Sequence, residues 1–319
     1  MYCRHFGLQR PPFAITPDPG FAYASRAQRE ALNTLVLTTD AGEGFVKITG
    51  AVGTGKTLLC RRFLAVLAGT DPGGRRFRTV YLPNPCLSPQ ALLRAIAADL
   101  KLRLPDAAHA GADDGLLEAL TRTLLRLARR GERLVVCLDE AQAMPPETLE
   151  ALRLLSNLET GQSKLLQIVL FGQPELDALL ARPVLQPLRS RIAFAYHLQR
   201  LDREETAAYV MHRLGAAGHR GGELFTPAAL RALHRASGGL PRRINILAHK
   251  GLLVAYGEGA AMVGSRHVRT ARIDTPAADA VAGFWAGLSG VYRGLLQTVQ
   301  AGRRSLAWAR AAALTGNAP

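Results

Sequence analysis

The run Gly50-Ala51-Val52-Gly53-Thr54-Gly55-Lys56-Thr57 satisfies G-x-x-x-x-G-K-[ST] and sits between a short apolar run and a helix-forming stretch. Its chemistry is phosphate binding. Glycines let successive backbone N–H groups turn inward as an anion nest, and the next helix adds the positive end of its dipole. Lys56 is placed to reach the β- and γ-phosphates of ATP, Thr57 offers a hydroxyl to Mg2+, and Leu58 extends the contact stretch into the helix. A second signal is the apolar run Leu134 to Leu138, which ends in Asp139 and Glu140. A buried strand ending in Asp can hold that carboxylate beside Mg2+, directly or through water. The adjoining Glu can polarise an attacking water as general base.

Other polar residues extend the constellation. Gln173 follows the apolar run 165–172, where an amide can hydrogen-bond the attacking water or the γ-phosphate. Pro187-Leu188-Arg189-Ser190-Arg191-Ile192 presents two arginines. Arg191, favoured over Arg189, can reach a neighbouring subunit's γ-phosphate and stabilise transition-state charge as an arginine finger. Gly239-Leu240-Pro241-Arg242-Arg243 opens a later helix, and Arg242, ahead of Arg243, faces the nucleotide phosphates across an interdomain cleft. The histidines show no metal-ligand spacing, so no metal beyond Mg2+ is expected. Cys60 and Cys137 are expected to pack as small apolar side chains beside the phosphate loop's helix and the acidic strand.

Positioning these groups requires strands that end, and helices that begin, at one edge of a sheet. The pattern supplies them. Ser25 is an N-cap for the helix RAQREALNTLVLTTD, GFVKITG is a buried strand, and LLCRRFLAVLAG is the helix after the phosphate loop. TVYLPNP, LVVCLDE and LLQIVLFG read as further strands. They alternate with helices at SPQALLRAIAADL (Ser88 N-cap, Pro89 at N1), residues 113–130, and PPETLEALRLLSNLET. Short apolar strands alternating with helices indicate an α/β fold, a parallel sheet covered on both faces. Beyond about residue 200 only helices are predicted. LDREETAAYVMHRLGAAG carries a capping box at Asp202 and Glu205, FTPAALRALHRASGG runs from Thr226 to Gly238, and LPRRINILAHKGLLVAYG is followed by a short helix around Ser265 to Ile273. The expected organisation is an N-terminal linker and first helix (1–40), a P-loop α/β domain (41–200), a small all-α lid (201–272) and an amphipathic basic tail (273–319).

Composition narrows the partners. At 319 residues and 48% hydrophobic, the chain is long enough for two domains with real cores, which excludes bulk disorder. Scattered cysteines and an N-terminus without an apolar h-region suit a reducing cytoplasm. The net charge of +15 points to polyanions: nucleic acid, an anionic membrane, or nucleotide phosphates. In the tail, Val281, Phe284, Leu288, Val291, Leu295 and Val299 recur at helical spacing among arginines, with Trp285 and Trp308. Residues 277–310 therefore read as an interfacial helix on an anionic membrane surface, or as a helix packed on protein. A spanning segment over 280–302 would put Arg293 near mid-bilayer, at about 2.5–3.5 kcal/mol.

The motifs together resemble AAA+ ATPases, and within them the ExeA/GspA and MshM family of type II secretion and mannose-sensitive-type pilus biogenesis, with relatives in exosortase and exopolysaccharide systems. The resemblance rests on YxxxFGLxxxPF…TPDPxFxYxS (2–25), GxVGTGKT, LDEAQ (138–142), LEALRLLSNLET (149–160), LLQIVLFGQPEL (165–176) and SGGLPRRIN (237–245). It covers about residues 2–272. It implies ATP hydrolysis, self-association into a ring or partial ring completed by Arg191 in trans, and membrane-protein partners in a secretion, pilus or polysaccharide machine. It also implies a place in the cytoplasm, peripheral on the inner membrane. Ala51 and Leu58 depart from the family's usual Glu and Thr, and neither change removes a phosphate or Mg2+ contact. The chain also stops at 319 without the membrane span and periplasmic domain of the ExeA type, which favours the shorter pilus or polysaccharide members. The second reading is a DNA-associated AAA+ ATPase of transposition or replication initiation, motivated by the charge. No helix-turn-helix or winged-helix segment follows the lid to support it.

Overall fold

A computed structural model of the chain describes residues 2–14, 19–69, 76–102, 112–160 and 163–275. The tail expected as an amphipathic helix lies outside the described residues. The elements run α1 (Tyr2–His5), α2 (Arg26–Ala41), β1 (Phe45–Gly50), α3 (Lys56–Ala68), β2 (Arg76–Leu82), α4 (Pro89–Asp99), α5 (Ala112–Arg129) and β3 (Glu132–Leu138). They continue with α6 (Pro146–Leu155), β4 (Glu159–Thr160), β5 (Ser163–Lys164), β6 (Leu166–Gly172), α7 (Glu175–Leu180), α8 (Gln186–Arg189) and β7 (Ile192–Leu198). Helices α9 (Arg203–Ala216), α10 (Pro227–Ser237), α11 (Pro241–Gly257) and α12 (Ser265–Ile273) complete the order.

A five-stranded parallel sheet in the order β2-β3-β6-β1-β7 forms the middle layer. Strand alternation divides its side chains between two cores. Leu134, Val136 and Leu138 of β3, with Leu166, Ile168 and Leu170 of β6, pack under α4, α5, α6 and α7. Val135 and Cys137, with Val169 and Phe171, pack on the other face against Leu35 of α2 and Leu59, Cys60 and Phe63 of α3. The same alternation carries Asp139, two residues beyond Cys137, to the face that holds the phosphate loop's helix.

Helix starts follow the expected chemistry. Ser25, Ser88 and Thr226 accept from the backbone N–H groups of Gln28, Ala91 and Ala229, and Asp202 with Glu205 forms a complete capping box. Several elements differ from expectation. Helix α6 ends at Leu155, not at Thr160, because Glu159–Thr160 turns into a two-stranded ladder with Ser163–Lys164. Strand β7, which the sequence pattern did not single out, closes the sheet beside β1 as an edge. Its apolar residues Ile192 to Tyr196 are exposed or half-buried, as an edge strand allows. The N-terminal segment also contains the short helix α1 and does not behave as a linker. Phe6, Leu8, Phe13 and Phe21 are buried in one core with Val210, Leu214, Phe225, Leu233 and Leu252 of the helical region. The lid core is thus built from both ends of the described chain.

Candidate functional site

The candidate site lies where β1, β3 and β6 end and α3 begins. Strand β1 delivers Gly50, and the turn that follows brings Lys56 to the first position of α3. Gly53 has φ of +84°, and a Cβ there would meet the Arg242 Cβ at 2.9 Å. The turn therefore needs glycine both for its backbone sign and for the approach of the lid. The Arg242 backbone N–H donates to the Gly53 carbonyl at 3.4 Å, which sets the start of α11 directly on the phosphate loop. The start of α11 thus brings the Arg242 backbone and Cβ onto the loop.

Lys56 is 5% exposed, and its ammonium donates to the carbonyls of Gly50 (2.8 Å) and Ala51 (3.2 Å). Burial lowers its pKa from the usual lysine value, against the opposing pull of Glu140, Asp139 and Glu175. Thr54 closes the turn by donating its hydroxyl to the Ala51 carbonyl at 2.9 Å, and Val52 is exposed at the tip. The Thr57 hydroxyl donates to Asp139 Oδ2 at 2.6 Å, and Asp139 is almost fully buried. Tyr81, on the neighbouring strand β2, donates its phenol to the same oxygen at 3.3 Å. Burial, reinforced by the Asp139 charge, pushes the Tyr81 phenol up to about 12.

Glu140 adopts a left-handed backbone, with φ of +55°. A non-glycine residue in that region is costly, and such costs gather at functional sites. Its Oε2 accepts from Gln142 Nε2 at 2.6 Å and from Gln173 Nε2 at 2.9 Å. The Gln142 Oε1 in turn accepts the Gln173 backbone N–H at 3.0 Å. Gln142 therefore ties the end of β6 to the carboxylate. Residue type and spacing assign Gln142 no role, although it lies in LDEAQ (138–142). A motif names a residue type, while only the turn after β3 shows where that side chain goes.

Beside the loop lies an aromatic-walled pocket lined by Phe21, Tyr23, Gln28, Leu58, Tyr209 and Arg213, among others. Arg213 is buried and donates to the Pro12 and Ala14 carbonyls and the Tyr209 hydroxyl, with its guanidinium 4.7 Å from the centre of the Phe21 ring. The N-terminal segment, the start of α3 and the lid each supply part of this wall. Sequence reasoning placed Leu58 at the nucleotide and missed the rest, because these residues are up to 200 positions apart.

Arg191 stands elsewhere. It precedes β7, whose Ile192 pairs with Phe45 at the start of β1, whereas the phosphate loop follows Gly50 at the other end. Five residues of strand span about 17 Å, so Arg191 and its own phosphate loop occupy opposite edges of the sheet. Its Nη1 donates to Ser156 Oγ at 3.3 Å and to Asn157 Oδ1. Cys60 and Cys137 are buried together on the α3 face of the sheet. Their mutual hydrogen bond, with burial, pushes the Cys60 thiol up, as expected of packed, inert thiols.

An AAA-domain family profile matches residues 39–180. General secretion pathway protein A of Aeromonas hydrophila is 43% identical over 259 residues, 81% of this chain and 46% of that protein. The chain thus spans about half the length of this relative. Among solved structures, the ADP form of the Aeropyrum pernix ORC2 protein has a TM-score of 0.60 at 20% identity, covering 83% of this chain and 72% of its own. Cdc6p of Pyrobaculum aerophilum has a TM-score of 0.61 at 18% identity, covering 80% and 70%. The RuvB Holliday junction branch migration motor of Thermotoga maritima reaches 0.50 at 18%, covering 76% and 67%. At these identities the structural likeness is one of fold.

Proposed function

The chain belongs to the AAA+ ATPase family of general secretion pathway protein A, and we propose that it hydrolyses ATP with Mg2+ to drive or regulate assembly of an envelope machine. The observation that carries the chemistry is the 2.6 Å bond from Thr57 to Asp139 at the head of the phosphate loop, with Glu140 held beside it. A hydroxyl and a carboxylate are hard oxygen donors, the set that suits Mg2+. When bound, magnesium screens the charge of the terminal phosphates. Lys56 exchanges the Gly50 and Ala51 carbonyls for phosphate oxygens, the N–H groups from Gly53 to Leu58 cradle them, and Arg242 reaches them from the lid. The aromatic pocket by Leu58 receives the base. Glu140 takes the proton of the attacking water at Oε1, the oxygen that Gln142 and Gln173 leave open. Gln173 senses the γ-phosphate by turning from Glu140 to it.

Arg191 cannot serve its own site across the sheet, so it acts in trans on a neighbouring copy, in a ring or partial ring. The machine served is a type II secretion, type IV or MSHA-type pilus, or exopolysaccharide export system, at the cytoplasmic face of the inner membrane. The name of the relative and the motif combination support that reading. Lys56→Ala should abolish nucleotide binding, and Glu140→Gln should bind ATP without releasing phosphate. Normal phosphate release by purified Glu140→Gln would overturn the assigned base.

A further inference from the structure

Below the sheet, on the edge away from the phosphate loop, lies an open cavity lined by Ser156, Asn157, Lys164, Ser190 and Arg191 around the backbone of Gly44. Its lining holds two cations and no carboxylate. Arg191 uses only Nη1, on two neutral side chains, so among the described residues its Nε and Nη2 donors are unengaged. Lys164, from the β4–β5 ladder, lies flat along Gly44: a Cβ at that position would meet its Nζ at 3.2 Å and its Cδ at 3.3 Å. Glycine at 44 leaves the room in which the Lys164 side chain rests at the cavity wall. Two cations lining one cavity, with no carboxylate among its lining residues, make a site for a compact polyanion, and the hydroxyls of Ser156 and Ser190 with the Asn157 amide add neutral polar groups.

The topology names the source of that anion. In a parallel sheet the nucleotide end and this cavity face opposite ways, so a head-to-tail contact between copies brings the cavity of one to the phosphate loop of the next. We infer that Lys164 acts with Arg191 as a second trans-acting cation, contacting the terminal phosphate of the nucleotide held by a neighbouring copy. This rests on the proposed trans role of Arg191. No motif or spacing marks Lys164 for this role. Lys164 falls between the expected helix ending at Thr160 and the expected strand starting at Leu165, and only the turn of β4 onto β5 carries it to the cavity that Arg191 lines.

The test uses the full chain and Mg-ATP. Lys164→Ala should keep its melting temperature and its affinity for a fluorescent ATP analogue while kcat falls on the order of 100-fold, the usual cost of one preorganised donor to transition-state charge. Lys164→Arg should recover most of the rate. Mixed with Glu140→Gln, which retains an intact trans face, Lys164→Ala should regain part of the activity that both lack alone. A wild-type kcat in Lys164→Ala beside an inactive Arg191→Ala would overturn the role of Lys164 and leave the finger standing. A wild-type kcat in Arg191→Ala would remove the finger itself. A slow Lys164→Ala that mixing does not rescue would place the lysine's effect within its own subunit and equally overturn the inference.

Discussion

Gln142 carries two hydrogen bonds that no short motif announces, one to the Glu140 carboxylate and one from the Gln173 backbone. Removing it should leave nucleotide binding intact and lower kcat by about 10-fold, the worth of roughly 1.4 kcal/mol of lost orientation. Steady-state phosphate release by Gln142→Ala, with KM measured in parallel, checks this; an unchanged kcat would mean that Gln173 and the backbone suffice to orient Glu140. Tyr81 stands one shell behind the proposed metal. Tyr81→Phe deletes the bond to Asp139 Oδ2. It should raise the Mg2+ concentration for half-maximal rate by on the order of 10-fold, as outer-shell losses do. Lys56, Thr57, Asp139 and Glu140 could be picked out of the string because each adjoins a contiguous signature, a glycine turn or an apolar run. Gln142, Tyr81, Gln28 and Arg213 could not, since their relevance depends on which neighbour their side chains face.

Among the elements, the lid offers the clearest energetics. The Asp202 side chain accepts the Glu205 backbone N–H at 2.7 Å, and Glu205 returns the bond to Asp202. Asp202→Ala should therefore cost about 1 kcal/mol of stability in urea melts. The N-terminal segment docks on the same domain, with Tyr2 set edge-on to His249 at 5.6 Å between ring centres. Burial holds the His249 imidazole below its usual pKa. The unfolded chain then takes up the proton first as pH falls, so stability is present above about pH 6.5 and declines below it. Urea midpoints between pH 7.5 and 5 should fall less steeply in His249→Gln; an equal slope would assign the acid sensitivity elsewhere. Helix boundaries marked by caps were legible in advance, since a cap is a local bond. The end of α6, the β4–β5 ladder and the edge strand β7 were not. Their residues lack periodicity, and they are held by partners rather than by their own pattern.

For the whole molecule, the open question set by +15 is which polyanion the basic residues meet. Residues 1–200 carry +7, while 201–319 carry +8 on little more than half the length, so the lid and tail hold the denser charge. Among the described residues no helix is long and apolar enough to cross a membrane. Any membrane contact proposed here falls to residues 277–310. The full chain should sediment with vesicles rich in phosphatidylglycerol and a chain lacking 277–319 should not; equal sedimentation of both would assign the tail to protein contacts. Salt-sensitive stimulation of the ATPase by DNA would instead revive the nucleic-acid reading. The α/β class, the phosphate loop, the acidic strand end and the helical lid were all legible from residue order. Each is written in contiguous residues, by backbone freedom in a turn or by apolar spacing along one element. The seat of Arg242 on Gly53, the N-terminal aromatics in the lid core, the aromatic-walled pocket by Leu58 and the cavity that Lys164 and Arg191 both line appear only in the folded chain. They join positions tens to hundreds of residues apart, and sheet order and crossover, not local pattern, decide which of those meet.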